Sequence, residues 1–141
     1  MGMRRKGREI AIKVLYSLEY DESEETIDLY KIKLEEMTEN EDFNNQNKIF
    51  EFASNLVEGT VENKDEIDLK IQHHSKNWSF DQIAHLDKSI LRVAVFELLF
   101  TDTAPPIIMN EAIEITKKYC TDNSGKFVNG ILNAISKENA E

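Results

Sequence analysis

Apolar positions recur with the period of an α-helix along most of this chain. Ile10, Ala11, Val14, Leu15 and Leu18 form one stripe and predict a first helix over about 7–20. Tyr16 and Tyr20 lie four residues apart beside that stripe. After an acidic connector, Asp21 to Glu25, the spacing of Ile27, Tyr30, Leu34 and Met37 predicts a second helix over about 26–37. A long helical pattern follows from about Asn44 to His74. Phe50, Ala53, Leu56 and Val57 mark one end of it, and Ile67 and Ile71 the other. Gly59 is the expected bend. The pattern breaks around Trp78, where Ser79 or Asp81 would cap a short turn ending near His85.

From Asp87 to Phe100 the apolar residues point in every direction. A helix that is hydrophobic all round is a buried one, so this segment is expected at the centre. Pro105 and Pro106 should end it, because proline is excluded from helix interiors. A further helix is predicted from about Ile107 to Tyr119, with Ile108, Ala112, Ile115 and Tyr119 inward. Thr121 to Asn123 reads as a polar turn, and Ser124 as the N-cap of a last helix that buries Phe127, Val128, Ile131, Leu132 and Ile135. No segment has the period of a strand. The expected fold is all-α, a compact bundle of about seven helices arranged as two small helical sub-bundles, divided near Trp78. It is read as one domain over residues 1–141, with a basic, flexible segment at 1–8.

Composition agrees. A chain of 141 residues buries roughly 68–70% of its unfolded surface on folding. Five glycines and two prolines are few breakers for this length. One cysteine, Cys120, forms no internal disulfide, so nothing calls for an oxidising compartment. No apolar run approaches a membrane span, no signal-peptide core follows the basic start, and Lys6 breaks a myristoylation motif. A cytoplasmic protein is expected. The net charge is −10, but it is unevenly spread. Residues 1–16 carry five bases and one acid, residues 17–68 carry 17 acids and 4 bases, and residues 69–141 carry 9 acids and 8 bases. A screening length of about 8 Å lets the basic tip act locally beside the acidic middle.

Catalytic chemistry is hard to find. There is no Gly-rich phosphate loop and no Cys/His cluster. His73 and His74 are adjacent, which on a helix turns them about 100° apart, and no third ligand follows at a suitable spacing. They read as solvated helix-end residues. Cys120 sits at a helix end without an evident base and reads as an inert thiol. Glu97 lies on the all-apolar helix, where a carboxylate needs a partner. A structural pairing with a base such as Arg92, or a cap on a neighbouring helix, is preferred to an acid–base role. No enzyme, metal or cofactor is expected.

Binding chemistry is present at the N-terminus. Arg4, Arg5, Lys6 and Arg8 lead into a helix bearing Tyr16. An arginine-rich segment beside an aromatic that stacks on bases makes a workable site for single-stranded RNA. A basic start also serves solubility, and for this feature taken alone that is the preferred reading.

Five ordered blocks carry a resemblance over nearly the whole chain. Arg8-Glu9 enters "AIKVLYSLEY" (Ala11 to Tyr20), and "LVEGTVENKDEID" (Leu56 to Asp68) follows. "LDKSILRVAVFELLF" (Leu86 to Phe100) comes next, then "MNEAIEITKKY" (Met109 to Tyr119) after Pro106. The last is "SGKFVNGILNAI" (Ser124 to Ile135). In these blocks, "NEAIEI" and "KFVNGIL" above all, the chain resembles the NusB antitermination family. The resemblance implies two small helical bundles. It also implies binding of the boxA element of nascent transcripts together with the ribosomal protein NusE, within the complex that makes RNA polymerase resist termination.

Carried over by position, the family's RNA surface falls on Arg4, Arg5, Lys6, Arg8, Tyr16, Asn123 and Phe127. Arg4, Arg5 and Lys6 would meet phosphates, Arg8 would do so or stack, and Tyr16 and Phe127 would offer π faces. Asn123 would read a base edge, since its amide both donates and accepts. Family members often carry Asp there, and Asn removes a charge that repels RNA. Phe127 is equally well read as core, and Tyr16 as split between packed ring and exposed hydroxyl. Asn129-Gly130 reads as close helix packing. Four neutralised phosphates give a single-strand salt slope of roughly −3, which implies weak binding without the partner. The acidic middle is a candidate surface for NusE, because ribosomal proteins are generally basic. The resemblance also admits a homodimer that would cover the basic tip. Two rivals stand beside this reading. One is the NusB-like front part of an rRNA cytosine methyltransferase, for which a chain ending at Glu141 leaves no room. The other is a protein-interaction module without RNA affinity.

Overall fold

The computed structural model describes residues 2–19, 27–39, 43–75 and 80–140. They form seven α-helices: α1 (Met3–Glu19), α2 (Ile27–Thr38), α3 (Phe43–Glu62), α4 (Lys64–His74), α5 (His85–Phe100), α6 (Pro105–Tyr119) and α7 (Asp122–Ala140). A single 3₁₀ turn, Phe80–Gln82, precedes α5. Among the described residues there is no strand, and no helix is long and apolar enough to cross a membrane. The expected all-α architecture is the one observed.

Helices α1, α2 and α3 pack on one another, and α4, α6 and α7 gather on α5. Because α5 also touches α1 and α3, it is the shared spine of both groups. The division falls at Asn63, between α3 and α4, rather than near Trp78, which lies outside the described residues along with Ser79. Asn63 takes φ −110° and ψ 18°, and its Nδ2 donates to the Gly59 carbonyl at 2.8 Å. That bond offers the chain an alternative to continued helix. Asp65 and Glu66 then fill the first turn of α4, where acids suit the helix dipole. So the long pattern is two helices. Gly59 serves packing instead of a bend: a Cβ there would lie 2.2 Å from Cζ of Phe96.

The spine is buried all round, as its pattern predicts. Two of its buried cations find partners on neighbouring elements. Arg92 donates twice to Asp68, at 2.9 and 3.1 Å, and the Lys88 ammonium sits 4.4 Å from the Phe80 ring centroid. Three boundaries differ from expectation. Helix α1 already runs from Met3, so residues 3–8 are its first turns; arginine and lysine are good helix formers. Pro105 and Pro106 occupy the first turn of α6, where an N–H has no intrahelical partner to lose. Helix α7 starts at Asp122, because the Thr121 hydroxyl accepts from the Ser124 N–H at 3.2 Å and caps it.

Candidate nucleic-acid interface

The early start of α1 decides where its basic residues point. On one helix, successive residues are turned by about 100°, so a basic cluster cannot face one way. Arg4 and Lys6 are exposed, and Arg5 is half-buried. Arg8 points inward, with its side chain only 5% exposed. Its Nε and Nη2 donate to the two carboxylate oxygens of Glu97 at 2.7 and 2.8 Å. Arg8, expected to meet phosphate or stack on a base, thus has two of its donors engaged by a buried carboxylate. Glu97 is structural, as preferred, but its partner is Arg8 and not Arg92.

Phe52 of α3 backs this region. Arg4 and Arg8, one turn apart, place their guanidinium carbons 5.8 and 5.3 Å from its ring centroid. Gly7 makes room, since a Cβ there would lie 2.6 Å from Phe52 Cδ2. Phe52 was not legible as part of the site; its sequence neighbours Phe50 and Ala53 mark a core stripe and nothing more.

A third stripe of α1 faces α6. Arg5 donates to Glu111 at 2.5 and 3.1 Å, and Lys118 donates to Glu9 at 2.8 Å. The Lys13 ammonium lies 5.1 Å from the Tyr119 ring centroid. Long side chains at positions 5, 9 and 13 of α1 thus meet those at positions 111, 118 and 119 of α6. The Arg5 pairing holds the Glu111 carboxyl below its ordinary range and raises Arg5. The bond to Glu9 likewise raises the Lys118 ammonium.

The other expected residues sit at the start of α7. Asn123 is exposed in the first turn of that helix, one residue past its N-terminus, and not on a turn before it. Phe127 is half-buried and packs on the core, so its ring is divided between the two readings given for it. Asn123 and Phe127 line a groove of about 400 Å³ together with Ser124 and, from the segment leading into α5 and that helix's first turn, Gln82, Ile83, Ala84 and Asp87. Tyr16 is half-buried on α1. Gly130 has open space at its Cβ position, so close helix packing does not account for it. Cys120 lies beside Asp87, and burial first, then that carboxylate, pushes its thiol up to about 12. An inert thiol is the result.

One grouping escaped the spacing argument. Glu138 of α7 reaches α4, where Lys70 and His74 each contact one of its carboxylate oxygens at 2.5 Å. His73, His74 and Glu138 offer ligand atoms within 4.8 Å of one another. With both oxygens engaged, Glu138 acts as a clasp between α4 and α7, and its carboxyl is held below the ordinary range by Lys70 and then His74.

Comparison with known proteins places these features in a family setting. The NusB family model matches residues 5–137. The transcription antitermination protein NusB of a Nitratiruptor species is 41% identical over 138 residues, covering 98% of this chain and 94% of that protein. The structure of T. maritima NusB superposes with a TM-score of 0.82 at 37% identity, covering 96% of this chain and 91% of that one. A solved structure of antitermination factors NusB and NusE in complex with dsRNA superposes with a TM-score of 0.81 at 31% identity, covering 96% and 97% of the two chains.

Proposed function

The chain belongs to the NusB family, and from that premise we propose that it binds single-stranded boxA RNA together with NusE, in the cytoplasm. In that role it is a transcription antitermination factor, acting by binding and not by catalysis. It would join the complex that makes RNA polymerase resist termination on ribosomal RNA operons.

The observation that carries this reading is the pairing of an exposed basic helix start with an aromatic groove. Arg4 and Lys6 supply sequence-independent attraction to phosphates, with Arg5 shared between RNA and Glu111. Asn123 stands at the rim of the groove, where its amide reaches a base edge, and the exposed part of the Phe127 ring offers a stacking face. Tyr16 extends the aromatic surface along α1. Arg8 contributes by fixing α1 on α5 through Glu97. The relative solved with NusE and dsRNA supports RNA and NusE as the partner classes.

Fluorescence anisotropy tests the reading directly. The RNAs are a boxA single strand, a scrambled strand of equal length and a duplex, each with and without NusE. The expected result is preference for the boxA strand, strengthened by NusE and weakened several-fold in Arg4→Ala/Lys6→Ala. Equal binding to all three RNAs in the presence of NusE would overturn it.

A further inference from the structure

The two halves of the proposed RNA surface lie on different helices, α1 and α7, and one group of side chains stands between them. Tyr119 is the last residue of α6, and 37% of it is exposed. Two ammonium groups flank its ring: Lys13 at 5.1 Å and Lys118 at 5.2 Å from the centroid. The ring is thus held in place by cations from both helices. Lys13 is exposed, and the Lys118 side chain is 49% exposed even while it donates to Glu9. Glu9 itself is 6% exposed, so the carboxylate is buried beneath a solvent-facing ammonium.

The placement is continuous on both sides. Lys6 and Lys13 are seven residues apart, two turns of α1, so both face the same way and stand about 10 Å apart along the axis. At the other end only Cys120 and Thr121 separate Tyr119 from α7. Asn123 is four residues from Tyr119, which bounds their Cα separation at about 14 Å. Lysines and an exposed ring therefore run from the basic helix start to the aromatic groove. A groove of about 260 Å³ between α1 and α6, lined by Arg5, Glu9, Glu114, Ile115, Lys117 and Lys118, lies along the same line.

We infer that Lys13, Lys118 and Tyr119 form a bridging subsite for the single-stranded RNA backbone, joining the Arg4/Lys6 end of α1 to the Asn123/Phe127 groove. This rests on the RNA-binding reading above and adds to it a path for the strand. The two lysines neutralise phosphates, and the Tyr119 ring takes one base on its exposed face. The subsite is sequence-independent, because ammonium groups and an aromatic face read no base edge. Two more cations then engage the strand, and the salt slope steepens by about 1.4.

The experiment is a salt titration of binding to the boxA and scrambled single strands by anisotropy. It compares the full chain with Lys13→Gln/Lys118→Gln, Tyr119→Leu and Tyr119→Phe. Lys48→Gln/Lys137→Gln is the charge-matched control, on exposed positions of α3 and α7. Glutamine at position 118 keeps a donor for the buried Glu9, and a thermal melt checks that each variant is folded. The expected slope is steeper by about 1.4 for the parent and the control than for the lysine double variant. Affinity for both RNAs should fall together. Tyr119→Leu should lose about fivefold or more, with Tyr119→Phe retaining the parent affinity. An unchanged slope in the lysine double variant overturns the subsite. Absence of boxA preference in the parent overturns the boxA reading instead, and the slope comparison still decides the subsite on whichever strand binds.

Discussion

Arg8 and Glu97, 89 positions apart, meet through two hydrogen bonds of 2.7 and 2.8 Å, with their side chains 5% and 2% exposed. This bidentate pair pins α1 to the spine helix. Removing one partner strands the other's charge in the core, which costs about 3–5 kcal/mol. Arg8→Ala and Glu97→Ala should each lower the urea midpoint accordingly, while Arg8→Met/Glu97→Leu should recover most of the loss. A cost below about 1 kcal/mol for either single change would mean that water reaches the pair.

Gly59 and Phe96 fit together with no room for a methyl group. A Cβ at position 59 would sit 2.2, 2.3 and 2.9 Å from three atoms of the Phe96 ring. Alanine would otherwise favour the helix by about 1 kcal/mol, but the overpacking costs about 1–3 kcal/mol and should win. Gly59→Ala is expected to destabilise, and Gly59→Ala/Phe96→Leu to be more stable than that single variant. Calorimetric melting of the three chains checks the order, and a raised Tm for Gly59→Ala alone would show that the ring swings away freely.

Glu111 ties stability to acid pH. Its hydrogen bond from Arg5 lowers its pKa in the folded chain from the ordinary 4.5. The folded state therefore binds this proton less readily than the unfolded state does. The resulting stability is fully present above about pH 4.5 and is lost as pH falls through the depressed folded value. Glu138, lowered by Lys70 and then His74, acts with the same sign. Denaturation midpoints across the acid range should fall less steeply for Glu111→Gln than for the parent, and parallel curves would falsify this assignment.

Asn123→Asp separates stability from binding. Position 123 is in the exposed first turn of α7, where a carboxylate suits the helix dipole and should add about 0.3–1 kcal/mol. The same charge beside the groove repels phosphate and should weaken boxA binding by up to about fivefold, as expected for an exposed charge. Melting and anisotropy on one preparation test both halves. Tighter RNA binding by the Asp variant would remove Asn123 from the interface.

Much of the fold was legible because helical burial is a local pattern. The stripe of Ile10, Val14 and Leu15, the all-round apolar α5, and the Val128–Ile135 face of α7 are all buried as their spacing predicts. The end of the long middle helix was not legible, because its cause is one amide: Asn63 reaching back to the Gly59 carbonyl. Similarly, Thr121 captures the α7 N-terminus ahead of Ser124, and the two residues are equally good caps on composition.

The candidate site divides along the same line. The residue types, the basic start and the aromatic at position 127, stand in the sequence, and so does the family to which the chain belongs. Which of the four cations at the start of α1 face solvent was decided only in three dimensions. One helical position rotates a side chain by about 100°, so Arg4, Arg5 and Lys6 face different ways, and Arg8, which shares the Phe52 ring with Arg4, turns inward. Arg8 finds Glu97 at 89 positions' remove, and Arg5 finds Glu111 at 106. No periodicity encodes such pairings, because they depend on how separate helices seat against one another. The sequence alone determined a helical protein of the NusB family with a basic first helix, and tertiary packing decided which of those charges stay exposed.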